Sequence, residues 1–268
     1  MNIYNGINQF PCIERGVISV GTFDGVHLAH RAILEEVCRL AKSTNGQSTV
    51  ITFFSHPRLL IDPDFDIKTL TTPDEKNALF EQIGIDNVMY LDFDWNIAKM
   101  SHIDFINMLS SKIEIAKMVV GYDHNFGKNR KGDISALRKM SEKYDFDVIE
   151  IPKQTMAAMD VKSSSIREKI NCGKILVANS LLGYDYSVQC NVWEMAQEMI
   201  TLKMKNPEKL LPKDGLYPVE IEEENRLLEI KSEKLCVIDK KMSFVMKKED
   251  TFVVKFIGDN TELISTKI

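Results

Sequence analysis

The chain has 268 residues, of which 44% are hydrophobic and 27% are charged, and its formal net charge is −5. This length is comfortable for two domains, with cores that need neither disulfides nor a structural metal. The acidic balance argues against a nucleic-acid binder, which usually carries a basic surface. It does not exclude the binding of small anionic ligands, because a few local Lys and Arg side chains are enough to bind them.

The five cysteines are odd in number and scattered, without a C-x-x-C pair. Free thiols in a reducing compartment fit this usage best. The N-terminal residues do not resemble a signal peptide, and no apolar stretch approaches membrane-spanning length. We therefore expect a cytoplasmic protein without a membrane partner. The sequence makes no prediction of the oligomeric state.

The first two-thirds of the chain alternates short apolar runs with amphipathic ones. Apolar runs rich in β-branched residues predict buried strands at 16–23, 48–54, 87–93, 118–123 and 146–151. Helical spacing or capping signals predict helices over 28–44, after the Thr-Pro-Asp-Glu box at 72–75, after 101–104, and over 134–144. Strands that are apolar on both faces and alternate with helices indicate an α/β domain, a Rossmann-like parallel sheet covered on both sides.

Ligands of parallel sheets bind in the loops that follow the carboxyl ends of the strands. That rule selects residues 21–30, 54–58 and 121–132 as candidate site segments.

The pattern changes after two short predicted helices within 161–183. Short strand-like runs separated by polar turns follow at 216–221, 227–230, 234–238, 243–246 and 252–257. They predict a small antiparallel β-barrel or sandwich. We place the domain boundary between residues 184 and 185, giving domains of residues 1–184 and 185–268.

The segment "GTFDGVHLAH" at 21–30 joins the first predicted strand to the first long helix. A helix N-terminus offers unpaired N–H groups and partial positive charge, which together suit phosphate. His27 and His30 lie one helical turn apart, so both imidazoles can face one point. A turn with two surface histidines is the alternative, but the strand-turn-helix context favours phosphate binding.

This segment resembles the H-x-G-H signature of the nucleotidyltransferase superfamily. Three further segments, in matching order, resemble bacterial FAD synthetases: "ITFFSHPR" (51–58), "VVGYDHNFGKNRKGD" (119–133) and "VKSSSIREKINCGKILVANSLLG" (161–183). Alone, each would indicate a rigid loop, a solvated turn or a helix cap. Together they resemble the FMN adenylyltransferase module of the bifunctional riboflavin kinase/FAD synthetase family, across about residues 15–185.

The resemblance implies roles for individual residues. The implied ATP-binding residues are Gly21, Thr22, Phe23, Asp24, His27, His30, Ser163, Ser164 and Arg167. Of these, His27, His30 and Arg167 would be catalytic. The implied FMN-binding residues are His56, Pro57, Arg58, Asp123, Asn125, Phe126 and Arg130.

The implied reaction is attack of the FMN phosphate on the α-phosphorus of ATP, with pyrophosphate as the leaving group. The FMN phosphate is already anionic, so the reaction needs no general base and no covalent intermediate. Charge neutralisation by His, Arg, a helix N-terminus and Mg²⁺ suffices. We expect a Mg²⁺ held mainly by ATP phosphates, without a cage of protein ligands.

The chain departs from the family in two ways. Ala29 stands where the H-x-G-H signature has Gly, and we expect activity to survive it. In the second domain, the Pro-Thr-Ala-Asn segment and catalytic Glu segment of riboflavin kinases are absent from the sequence. We therefore predict a reduced riboflavin-kinase-like β domain without kinase activity. Two alternatives stay open: a bifunctional enzyme, and a non-catalytic flavin- or nucleotide-binding protein with an interaction domain.

Overall fold

A computed structural model describes residues 1–54, 57–61, 67–122, 126–127, 132–152, 161–196, 199–238 and 250–260. The chain divides into two compact units. The first consists of residues 1–67 and 73–161, and the second of residues 68–72 and 162–268. None of the helices in the described part is long and apolar enough to cross a membrane.

The first unit contains a six-stranded parallel sheet in the order β1-β4-β3-β2-β5-β6. Its strands are β1 (Asn2–Asn5), β2 (Ile13–Val20), β3 (Gln47–Phe53), β4 (Asn87–Leu91), β5 (Ile113–Gly121) and β6 (Asp147–Ile151). The central strands are buried almost along their whole length, which explains their continuous apolar sequence. Their side chains build a hydrophobic core with those of α5 and α6.

The helices of the first unit are α1 (Leu28–Ser43), α2 (Pro57–Ile61), α3 (Pro73–Ile83), α4 (Trp95–Lys99), α5 (His102–Ser110) and α6 (Ile134–Tyr144). Capping residues explain where several of them begin. Asp94, Ser101 and Asp133 each accept a backbone N–H of the following turn. Because α3 begins at Pro73, it follows the Thr-Pro signal as predicted.

The second unit contains two short helices, α7 (Ser163–Asn171) and α8 (Ile175–Leu182), and a closed antiparallel barrel. The barrel order is β10-β11-β8-β7-β12-β9. Its strands are β7 (Ser187–Ala196), β8 (Met199–Met204), β9 (Gly215–Ile221), β10 (Glu224–Lys231), β11 (Lys234–Ile238) and β12 (Thr251–Phe256). Along β12, exposed and buried residues alternate strictly, as expected for a barrel wall.

The predicted fold class is confirmed, with differences in detail. Strands β1, β7 and β8 and the short helices α2 and α4 were not predicted. β1 is short and mostly exposed, so it carries no apolar run. A predicted strand at 243–246 lies outside the described residues. Residues 162–184 cluster with the barrel by contacts, whereas the predicted domain boundary near residue 184 follows the change of sequence pattern and stays a prediction.

Candidate active site

The three candidate segments follow three neighbouring strands. In the sheet, β2 lies between β3 and β5. The chain runs from β2 to β3 on one side and from β5 to β6 on the other, so the connections diverge between β2 and β5. Such a divergence opens a crevice at the carboxyl ends of the strands. Residues 21–30 follow β2 directly, next to this divergence.

The turn after β2 is tight and conformationally unusual. Phe23, Gly25 and Val26 all have positive φ angles, of +46°, +82° and +34°. The Val26 N–H donates to the Phe23 carbonyl over 3.1 Å. A Cβ at Gly21 would lie 3.1 Å from the Phe23 ring. A positive φ is costly for β-branched Val26, and such strain is typical of functional sites.

His27 and His30 are brought together as the sequence predicted. His27 is the N-cap of α1, and its Nδ1 accepts the His30 backbone N–H over a long 3.4 Å. The two rings are stacked, with centroids 3.6 Å apart and planes inclined by 15°. With Nδ1 as acceptor, a neutral His27 carries its proton on Nε2. The first turn of α1, described in full, contains no acidic residue that would repel an anion.

One ring nitrogen of His30, Nδ1, is buried and makes no hydrogen bond to the described residues. The Phe23 ring contacts the imidazole edge-on at 5.3 Å between centroids. Burial, followed by the charges of His27 and Lys76, holds the pKa of His30 well below its usual value. The ring is therefore a neutral imidazole at neutral pH.

Lys76 is a residue of this site that the sequence reasoning missed. Its Nζ donates to the carbonyls of Phe53 (3.2 Å) and Thr22 (3.4 Å), at the carboxyl ends of β3 and β2. The side chain is buried, and burial lowers the pKa of Lys76 to about 8, with nearby Asp24 acting in the opposite direction. The sequence did contain a signal for the burial of Lys76. Lys76 precedes the apolar residues Leu79 and Phe80 by three and four positions, so the three residues share the inward face of α3.

Of the predicted FMN-binding residues, the structure describes Phe126, Pro57 and the backbone of Arg58. Phe126 is half-buried and forms an antiparallel bridge with Gly132. A Cβ at Gly132 would lie 2.7 Å from the Phe126 ring, so the bridge needs glycine there. Pro57 and Arg58 open α2 directly after β3. The predicted residues His56, Asp123, Asn125 and Arg130 and the Arg58 side chain lie outside the described part.

Ser163, Ser164 and Arg167 lie on the first turns of α7, in the second unit. The Arg167 Nε–H donates to the Lys68 carbonyl over 2.9 Å. Lys68 begins the segment 68–72, which forms a parallel bridge from Thr69 to Lys209 in the same unit. Their predicted role as a phosphate clamp stays a prediction.

Ala29, the departure from the H-x-G-H signature, is completely buried in the second position of α1. The extra methyl group is therefore accommodated within the protein interior.

A family model and several known proteins match this chain. A family model described as FAD synthetase matches residues 10–165, more than half of the chain. A bifunctional riboflavin kinase/FMN adenylyltransferase of Buchnera aphidicola (subsp. Schizaphis graminum) is 31% identical over 72% of this chain and 62% of its own length. The enzyme of the same name from Listeria monocytogenes is 29% identical, over 76% of this chain and 67% of its own.

A protein of Listeria monocytogenes named FAD synthetase is 28% identical, over 64% of this chain and 70% of its own. The fold of this chain resembles a crystal structure titled as a macrolide-efflux protein from Streptococcus pneumoniae. That structure aligns with a TM-score of 0.84 at 18% identity, over 100% of this chain and 94% of the other. An identity of 18% supports a shared fold alone. The family-model match is different in kind, and by that match the chain belongs to the FAD synthetase family.

Proposed function

We propose that this chain is an FMN adenylyltransferase, which transfers the adenylyl group of ATP to the phosphate of FMN and releases pyrophosphate. The observation that carries the proposal is the stacked pair His27 and His30 at the N-terminus of α1. This pair lies after a central strand of a parallel sheet, within the region matched by the FAD synthetase family model.

The histidines act on charge that grows during the reaction. As the FMN phosphate attacks the α-phosphorus of ATP, negative charge develops on the departing pyrophosphate. Imidazole N–H groups and the N–H groups of the first turn of α1 are preorganised donors for these oxygens. Because His30 is held neutral, it meets ATP as a hydrogen-bond donor and acceptor rather than as a fixed charge. The nucleophile is already anionic, so neither histidine acts as a general base.

Mg²⁺ is part of the proposal as an ion that enters with ATP. Among the described residues, His, Cys, Asp and Glu side chains do not form a group of three that could hold a metal. Mg²⁺ usually keeps several waters and binds through substrate phosphates and few carboxylates, and we propose that mode here. When bound, Mg²⁺ would supply further neutralisation of the phosphate charge.

The remaining site residues complete the proposal. Gly21, Thr22, Phe23 and Asp24 would line the nucleotide pocket beside the histidines, and Ser163, Ser164 and Arg167 would bind ATP phosphates. The segments after β3 and β5 would bind FMN, through the seven residues implied above. All five cysteines are free, which supports a reducing, cytoplasmic location.

Incubation of the purified chain with FMN, ATP and Mg²⁺ tests the proposal. We expect FAD and pyrophosphate in equal amounts, measured by chromatography with flavin fluorescence and by a pyrophosphate assay. Omission of FMN should abolish pyrophosphate release. Binding of FMN or ATP without FAD formation would instead support the non-catalytic alternative.

The second unit provides a specific reason to test a second activity. It contains a closed six-stranded barrel, and several relatives carry the name riboflavin kinase. We propose that this chain lacks that activity, because its sequence lacks the kinase motifs. Riboflavin and ATP in the same assay should give neither FMN nor FAD. Formation of FMN would establish the bifunctional alternative.

A further inference from the structure

Lys76 is a buried cation placed where folding alone does not favour one. The Lys76 side chain is buried, with 6% of the residue exposed. Its ammonium donates to two carbonyl oxygens, over 3.2 and 3.4 Å. It also lies in the first turns of α3, where the helix dipole disfavours positive charge. Removing an ammonium from water costs several kcal/mol or shifts its pKa. Such groups are concentrated at functional sites.

The two carbonyls that Lys76 binds lie at the strand ends where the nucleotide is proposed to bind. Phe53 is the last residue of β3, and Thr22 lies in the strained turn between β2 and the histidines. The Thr22 carbonyl also accepts the Thr52 hydroxyl over 3.2 Å. One ammonium thus links two adjacent strand ends at the edge of the sheet where the substrates are proposed to bind.

We propose that Lys76 is a positioning residue of the adenylyl-transfer site: it ties the turn that carries His27 and His30 to the end of β3, and its charge acts on the His30 imidazole. The inference rests on the proposed function for what the site does with ATP. The contacts of Lys76 and its action on His30 do not depend on that function.

The charged and titratable groups around Lys76 come from several elements. Asp24 of the turn interacts with the ammonium, and the Lys76 charge in turn reaches His30 of α1, which also faces His27. From β4, the Tyr90 ring lies with its centroid 5.3 Å from Nζ. Burial, followed by the charge of Asp74, raises the pKa of Tyr90, so this phenol stays neutral. Its hydroxyl donates to Asn77 over 2.9 Å.

This arrangement gives Lys76 two effects. As a tether, it links the Thr22 carbonyl of the turn to the Phe53 carbonyl of β3. As a charge, it opposes protonation of His30 in the empty site and offers the incoming triphosphate a nearby cation. A displacement of about 1 Å in such a turn can cost about 100-fold in rate.

Three variants and the wild type test the inference. Lys76→Met removes the charge and keeps most of the volume, Lys76→Arg keeps the charge, and Lys139→Met is a control on the exposed face of α6. Circular dichroism and thermal melting check the fold. The two readouts are kcat/KM for ATP and the NMR titration of the His30 imidazole in the ligand-free protein, assigned with His30→Gln.

We expect Lys76→Met to lower kcat/KM for ATP by about 10- to 100-fold, mainly through kcat. We also expect it to move the titration midpoint of His30 upward, since a nearby positive charge is gone. Lys76→Arg should restore part of the activity and the low midpoint, and Lys139→Met should change neither. A folded Lys76→Met with wild-type kcat/KM, or with an unchanged His30 midpoint, overturns the proposal.

The pH profile keeps the proposal testable if Lys76→Met does not fold. Since the pKa of Lys76 is about 8, wild-type kcat/KM should decline as the pH rises through that value. The decline should move to higher pH in Lys76→Arg, because guanidinium stays protonated. A flat wild-type profile across this range overturns the inference. A chain that makes no FAD, yet shows the upward shift of His30, would contradict the proposed function and not the charge effect of Lys76.

Discussion

The two units differ in what they bury. Polar and charged side chains are buried at and around the strand ends of the parallel sheet, among them Asp24, His27 and Lys76. Among the residues that the structure describes, the buried side-chain polar atoms without a hydrogen-bond partner are His30 Nδ1, Arg31 Nε and Thr49 Oγ1. All three belong to the first unit. The second unit also buries Thr71, Thr72 and Lys209, but these side chains have interaction partners. The described barrel strands bury mainly apolar side chains, with Tyr217 donating its hydroxyl to the Lys213 carbonyl over 2.8 Å.

An unpaired buried polar atom costs about 1–3 kcal/mol. Such atoms are rare in folded proteins and call for an explanation, and a ligand that supplies the missing partner is the one that our proposal offers for His30. The barrel follows the pattern of a domain packed for stability. Three substitutions and one change of pH, in order of decreasing expected effect, test this contrast.

His30→Ala should have the largest effect, mainly on activity. Loss of one preorganised donor to a transition state typically lowers kcat by about 10²- to 10³-fold. Stability should change less than activity, because removal of an unpaired buried nitrogen partly offsets the lost ring contacts with His27 and Phe23. FAD formation and thermal melting measure the two effects. Arg39→Ala, on the exposed side of the same helix, is the matched control. Near-wild-type turnover of His30→Ala would refute the assigned role.

Phe256→Ala should have the opposite effect, because it should lower stability rather than activity. The Phe256 ring is fully buried in the barrel and contacts Tyr217 edge-on at 5.6 Å between centroids. Truncation of a buried Phe costs about 3–5 kcal/mol, measured by urea unfolding. Val253→Ala, partly exposed on the same strand, should change the free energy of unfolding by less than about 0.5 kcal/mol. A small loss at Phe256 would show that the barrel core is not tightly packed.

Acidification should destabilise the first unit through His30. The pKa of its imidazole is lowered in the folded chain, so below about pH 6.5 the unfolded chain takes up a proton that the folded chain does not. This contribution to stability is present above that pH and is lost as the pH falls, by at most about 1.4 kcal/mol per pH unit. Urea titrations at several pH values measure the slope. His30→Gln should flatten it, and an unchanged slope would contradict the assignment.

Ala29→Gly should have the smallest effect. Glycine within a helix costs up to about 1 kcal/mol relative to alanine, and the fully buried methyl group is lost as well. Since Gly is the residue of the family signature, we expect kcat/KM for ATP to change little. A large gain in activity would instead show that the Ala29 methyl obstructs nucleotide binding.

Much of the first unit could be predicted from the sequence, because its signals are local. Apolar runs marked the central strands, and the spacing of His27 and His30 predicted that the two rings would meet. The role of Lys76 was not predicted, because a lysine on a helix is normally solvated. Its burial depends on the packing of α3 against strands that are distant in the chain. Strands β7 and β8 were not predicted, because polar residues interrupt their apolar pattern.

The amino-acid sequence alone was enough to predict the sheet of alternating strands and helices, the turn with its two neighbouring histidines, and the family. These follow from periodicity and from motifs whose residues are close along the chain. Only the tertiary structure decided that β2 lies between β3 and β5, that the barrel closes, and that a buried ammonium links two strand ends beside the histidines. These features depend on long-range strand pairing and burial, and a local pattern does not encode which distant carbonyls will surround a lysine.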